Sequence, residues 1–277
     1  MIRQVKDVVQ GRAAVDGAGV HLTRVLGAGT MYEYDPFLML DSFDSKNPDD
    51  YIAGFPMHPH RGIETLTYLV KGEMSHRDNI GNEGVIRDGE AQWMTAGSGI
   101  LHEEMPVAKE RILGFQLWIN LPAKDKMAKP HYQQLDHTNI GEAEGENFKV
   151  RVLSGEYMGA KGFTPLYVQA RVLDFAPNKG ADISIPVARE DNAFLFLLLG
   201  DCEINGQTYT EKSAILLEEG EEIKFTSLQD DARVIVYTAP KLEEPIAWGG
   251  PIVMNTRDEL EHAFDELRAG TFIKEKA

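Results

Sequence analysis

A chain of 277 residues is long enough for one large domain or two ordinary ones, and it needs no covalent staples to hold a core. Its single cysteine excludes an intrachain disulfide framework, and its formal net charge of -16 opposes phosphate backbones, so direct nucleic-acid binding is not expected. The strongest apolar run, Ala193 to Leu199, falls far short of the ~20 residues that cross a bilayer. The opening stretch Met1-Ile2-Arg3-Gln4-Val5-Lys6-Asp7 lacks the apolar core of a signal peptide, so a cytoplasmic protein with no membrane association is expected.

The first chemical signal along the chain is His58-Pro59-His60. Alternate side chains of an extended strand share a face, so both imidazoles can converge on one ion. Short β segments follow at Ile63 to Val70, Ala91 to Thr95 and Leu113 to Leu121. Turn residues separate them at Gly72, Gly81-Asn82, Asp88-Gly89 and Gly97-Ser98-Gly99. The last of these lacks the lysine and following helix of a phosphate loop, and reads as a tight turn. This cadence predicts an all-β jelly-roll barrel or sandwich. His102-Glu103-Glu104 is a second clip that places His102 and Glu104 on one strand face. His58, His60, His102 and Glu104 together suit a first-row divalent metal.

Other residues of this half take lesser roles. Glu64 shares the strand parity of the first clip, so it is expected either to face the cavity and orient the ligands or to pair with an arginine. His76-Arg77-Asp78 follows the Gly72 turn and reads as a solvent-facing hairpin end. His131 and His137 read as surface residues. Trp93, Phe115 and Trp118 are expected to pack the barrel. Gln116 and Asn120 alternate with Leu117 and Ile119, and parity leaves open which set faces inward.

The polar segment Gly141 to Asn147 is read as a linker, giving an N-terminal metal-binding domain over 1–138 and a C-terminal domain over 139–277. The second half echoes the first: Tyr68 to Glu73 aligns with Phe196 to Asp201, and Ala91 to Gly97 with Ala214 to Gly220. In these registers His102 falls on Phe225, Glu104 on Ser227, His58 on Pro186 and His60 on Ala188. The second half therefore keeps the scaffold and loses the metal. Seven of eight histidines precede the linker. The exception, His262, lies in a C-terminal helix with a capping box at Thr256 to Glu259, an apolar stripe of Leu260, Ala263, Phe264 and Leu267, and a stop at Gly270. That helix is expected to pack on a β-sheet, and Cys202 is read as a small core residue.

The stretches His58 to Leu69, Gln92 to Gly97 and Ile100 to Pro106 resemble the pirins, a family of the cupin superfamily. The likeness extends to Asp35 to Asp41 near the start and to Gly250 to Thr256 near the end, so it covers nearly the whole chain. Ile63 stands where phenylalanine is common in the family. The resemblance implies two cupin barrels with iron in the N-terminal one only, held by His58, His60, His102 and Glu104. Similar proteins include bacterial enzymes that cleave the flavonol quercetin with dioxygen, and a nuclear eukaryotic member that acts as a metal-dependent transcriptional coregulator.

The expected function is a quercetin 2,3-dioxygenase-type oxidoreductase that binds iron(II), a small aromatic substrate and O2, with Glu104 also serving as the catalytic base. Zinc, manganese, nickel and copper are the alternative metals, and zinc in a closed tetrahedral site would be structural. The alternative function is a non-catalytic, metal-dependent regulator, whose protein partner would be basic, given the acidic surface. A monomer is expected.

Overall fold

The computed structural model describes residues 1–275; residues 276 and 277, the end of the expected second domain, lie outside them. The chain divides into two compact units that are not its two halves. One handover, at Gln134 and Leu135, lies close to the expected boundary, but the terminal segments are exchanged. Met1–Arg12 and Gly29–Pro36 join the later unit, whereas Leu242 onward, with the helix, joins the unit that holds the histidine clips.

The histidine-bearing unit has a seven-stranded antiparallel sheet. Its strand order is His131–Leu135, Glu90–Thr95, Ile63–Lys71, Ile112–Asn120, Phe37–Ser45, Val20–Leu26 and Arg12–Asp16. The facing four-stranded sheet runs Phe55–His60, Ile100–Pro106, Met74–Asp78 and Glu83–Ile86. Val20, Leu22, Phe43, Leu69, Met74, Ile86 and Ile112 form an apolar core from both sheets. Strand alternation fixes what else points inward. Register aligns Arg24 with Asp41, Asp41 with Gln116, Gln116 with Thr67 and Thr67 with Gln92, so five polar side chains form one row across the inner face.

The helix Arg257–Ala269 starts on the expected capping box of Thr256 and Glu259 and stops at Gly270 in the left-handed conformation. Its apolar stripe packs on the short hairpin strands Ala247–Gly249 and Ile252–Met254, with Phe272 completing the cluster. Gly249 has no side chain because an added Cβ would come within 3.0 Å of the Phe264 ring.

The other unit repeats the arrangement. Its seven-stranded sheet runs Val5–Gln10, Ser213–Leu217, Asn192–Leu199, Arg233–Ala239, Arg171–Pro177, Phe148–Ser154 and Gly141–Gly145. Its four-stranded sheet runs Asp182–Pro186, Glu222–Ser227, Cys202–Ile204 and Gln207–Tyr209. The segment read as a linker is thus an edge strand, Gly141–Gly145 paired with Phe148–Ser154; at an exposed sheet edge, a strand needs few apolar residues. In the strand that corresponds to the first clip, Ile183 and Ile185 lie opposite Phe225 and Ile223. Pro186 sits at the strand end opposite Glu222, so the inward positions belong to the isoleucines rather than to Pro186 and Ala188. The interior is closed by Val152, Phe175, Leu195, Cys202, Phe225 and Val236 among others. Cys202 is part of this core, and burial pushes its thiol up to about 12. No helix among the described residues is long and apolar enough to cross a membrane.

Candidate metal centre

The two clips occupy neighbouring antiparallel strands, Phe55–His60 and Ile100–Pro106, in which His102 lies directly opposite His58. A β-bulge between His102 and Glu104 sets Glu104 opposite Phe55. One ring nitrogen from each of His58, His60 and His102 lies within 4.8 Å of the others, close enough to share a metal ion. Glu104 stands outside that tight group of three, although it is buried beside it at 2% exposure.

The hydrogen bonds of the imidazoles define which nitrogens are free. His58 Nδ1 lies 2.9 Å from the Pro56 carbonyl oxygen and His60 Nδ1 lies 3.2 Å from that of Pro251. Each carbonyl can only accept, so each Nδ1 carries the proton and each Nε2 presents a lone pair. Those two Nε2 atoms are only 3.0 Å apart. Neither nitrogen of the buried His102 ring has a hydrogen-bond partner. Facing lone pairs and an unsatisfied buried ring are costly in a dry site, and a cation between them removes both costs. The donor set therefore fits a divalent metal ion. Burial holds His60 down at about 3, helped by His58, and holds His102 well below the ordinary range. Both rings are neutral at physiological pH, as ligation requires.

Glu104 is held by the polar row of the large sheet. Thr67 Oγ donates to its Oε1 at 2.9 Å and Gln116 Nε2 to its Oε2 at 2.7 Å. Gln116 Nε2 also reaches Thr67 Oγ at 3.1 Å, and Trp118 Nε1 donates to Gln116 Oε1 at 3.2 Å. Every member of this network has a partner, the condition under which buried polar groups are tolerated.

A cavity of about 610 Å³ opens beside His58 and His60. Met39, Phe55, Trp118, Trp248 and Pro251 supply aromatic and apolar wall, whereas Asp16, Arg24, Asp41 and Gln116 supply polar wall. Trp118 meets the His60 ring edge-to-face at 4.9 Å and lies 5.9 Å from Trp248. The strap that carries Trp248 and Pro251 is clamped next to the first clip. Val253 N–H donates to the Arg61 carbonyl, and the buried Lys126 ammonium donates to the carbonyls of Gly62 and Val253 and to Asn120. Burial lowers that lysine to about 7. The Arg61 guanidinium is 1% exposed and bonds Ser98 O, Glu266 and Phe272 O.

Several sequence expectations change. Glu64 does not line the cavity: it lies on the face opposite to Thr67, whose hydroxyl bonds Glu104, and there Thr95 donates to it at 2.7 Å. The Arg61-Gly62 turn, with Gly62 at φ 78°, interrupts the strand and resets its parity. Trp93 and Phe115 share that opposite face, Phe115 against Tyr68 at 5.6 Å, so of the three aromatics only Trp118 reaches the cavity. His76 is no hairpin end. It lies inside the barrel on strand Met74–Asp78 at 7% exposure, opposite Glu104 and stacked on Tyr132, because the strand runs on past the Gly72 turn. Gln116 lines the cavity, whereas Asn120 is buried under Lys126. His131 and His137 are exposed as expected. Arg24, Asp41, Thr67 and Trp248 were not singled out as site residues. Alternation in Ile63–Lys71 would have pointed to Thr67 once the turn was placed, but nothing local marks the other three.

Comparison with known proteins follows the same outline. The Pirin family model matches residues 19–119 and the Pirin C-terminal cupin domain matches residues 172–273. A pirin-like protein of Caulobacter vibrioides is 43% identical, over 98% of this chain and 99% of its own. A Pseudomonas aeruginosa protein provisionally named quercetin 2,3-dioxygenase is 41% identical, over 97% of each chain. The crystal structure of a quercetin 2,3-dioxygenase from Acinetobacter baumannii superposes with a TM-score of 0.89 at 31% identity, covering 98% of this chain and 99% of that one. With two cupin barrels, one carrying the histidine cluster and one filled by apolar side chains, the chain belongs to the pirin family.

Proposed function

We propose that this protein is a metal-dependent dioxygenase of the quercetin 2,3-dioxygenase type, opening the enediol-bearing ring of a flavonol or similar compound with O2. His58, His60, His102 and Glu104 would hold the metal, with iron(II) as the favoured ion. The observation that carries this reading is the convergence of three imidazoles, within 4.8 Å, beside a cavity of about 610 Å³ with aromatic walls. When bound, the metal supplies Lewis acidity toward a substrate hydroxyl and a template for two reactants.

The side chains do the rest. Trp118 and Trp248 offer flat surfaces against which a planar ring system stacks, orienting its hydroxyl edge toward the histidines. Glu104 accepts the hydroxyl proton as general base. Thr67 and Gln116 hold its two oxygens and keep the carboxylate aimed. The apolar wall excludes water from the reacting ring. The names of the Acinetobacter and Pseudomonas relatives support the same reaction class.

The test is O2 consumption by iron-loaded protein with quercetin. Uptake should be abolished in His60→Ala and reduced at least about 100-fold in Glu104→Gln, the usual scale for losing a general base. Uptake that persists in His60→Ala overturns the reading.

A further inference from the structure

Resting on the oxygenase reading for the chemistry of the site, we propose that Arg24 and Asp41, with Asp16 at the rim, select the substrate. They favour a neutral aromatic that carries hydroxyl groups at the end that meets this wall, and they reject one that carries a carboxylate or sulfonate there.

Arg24, Asp41, Gln116 and Thr67 are successive register partners on four neighbouring strands, so their side chains stand in one row on the inner face. Strands are about 4.8 Å apart. Asp41 therefore lies about one spacing, and Arg24 about two, from Gln116, whose amide bonds Glu104. The row leads from the ligand set outward along the cavity wall.

Exposure rises in the same direction: the side chains of Asp41, Arg24 and Asp16 are 5%, 36% and 50% accessible. Arg24 bonds both oxygens of Asp41, at 2.9 and 2.7 Å, and Asp16 at 2.6 Å. Each carboxylate oxygen has more than one acceptor position. Asp41 therefore keeps capacity for a hydroxyl donor after satisfying Arg24, and all three residues line the cavity. Two carboxylates against one guanidinium leave one net negative charge on this wall. Beside an apolar, partly dry cavity that charge disfavours a second anion. Met39 and Trp118 adjoin the row and give the ring body its apolar contact.

The test is anaerobic calorimetry on the iron-loaded protein with three flavonols: one hydroxylated on its pendant ring (quercetin), one bare there (galangin), and quercetin sulfonated on that ring. The parent protein should bind quercetin about tenfold tighter than galangin, and the sulfonate more weakly than either, from the worth of a hydrogen bond to a charged acceptor. Asp41→Asn should bring the quercetin-to-galangin ratio near one. Asp16→Asn, at a half-exposed site where folding is not at stake, should improve the sulfonate relative to quercetin about three- to tenfold.

Ratios unchanged in both variants, or no preference in the parent, overturn the selection. So does a failure of the folded, iron-loaded protein to bind any of the three. O2 uptake measured alongside separates the two readings. Turnover without discrimination defeats the selectivity and leaves the oxygenase standing, whereas discrimination without turnover does the reverse.

Discussion

Replacing Arg61 by methionine removes the buried guanidinium that anchors the C-terminal tail and keeps most of the apolar stem. Three charge-assisted hydrogen bonds are lost: to Ser98 O at 2.8 Å, to the Glu266 carboxylate at 2.7 Å and to Phe272 O at 2.7 Å. The stacking of the guanidinium 4.1 Å above the Phe272 ring goes with them. Breaking one side of a buried pair costs about 3–5 kcal/mol. The tail can partly detach and let water satisfy Glu266, which caps the loss near that range. For a unit of this size each kcal/mol is worth roughly 2–4 °C, so the melting temperature should fall by roughly 6–20 °C. The three tryptophans, Trp93, Trp118 and Trp248, all belong to the histidine-bearing unit, so tryptophan fluorescence follows that unit's transition alone. A second readout is metal affinity. The strap that Arg61 helps to hold also supplies the Pro251 carbonyl that orients His60, and losing such a partner typically costs 10- to 100-fold. A variant that melts within 2 °C of the parent and binds metal equally well would show that this anchor is ornamental.

Two further outcomes follow from buried titratable groups. Metal-free protein should stay folded at neutral pH but lose stability as the pH drops from 6.5 toward 3. The unfolded chain protonates its histidines near 6.5, whereas burial lets folded His60 resist to about 3 and holds folded His102 well below 6.5 as well, a loss on the order of 5 kcal/mol from His60 alone. A flat melting profile of the apo form across that range would contradict the assignment. Glu64 works in the opposite sense: burial raises it from 4.5 to about 7, so the stability it contributes when protonated is lost as pH climbs through 7. Glu64→Gln should therefore stabilise the protein on the order of 2 kcal/mol at pH 8 and leave it unchanged at pH 4, and equal melting differences at both values would refute this.

The parts legible from sequence were those with local periodicity. The two clips, the strand cadence, the capping box and the loss of histidines in the second half all rest on spacing within a few residues. What escaped depended on contacts between distant segments or on a broken period. Counting parity through Gly62 offers Glu64 the inner face as one of its two places, and one left-handed glycine turns it to the other face. Edge strand Gly141–Gly145 looked like a linker because an edge needs no apolar residues. The exchange of terminal segments has no local signature at all. Trp248 and Pro251 reach the cavity from nearly two hundred residues beyond the clip, and only tertiary packing brings them there.

The two barrels show what the polar interior requires. At the positions where one unit has Ile183, Ile185 and Phe225 packed together, the other has three imidazoles. An apolar interior needs no register beyond good packing, whereas a polar one must pair every group. The row from Arg24 to Gln92 meets that demand by crossing five strands in register, and it ends up gripping Glu104 through Thr67 and Gln116. Glu104 is thus positioned by the scaffold, not by the ion. Much of the geometry at this site is set by folding, so a metal bound there would need to order little.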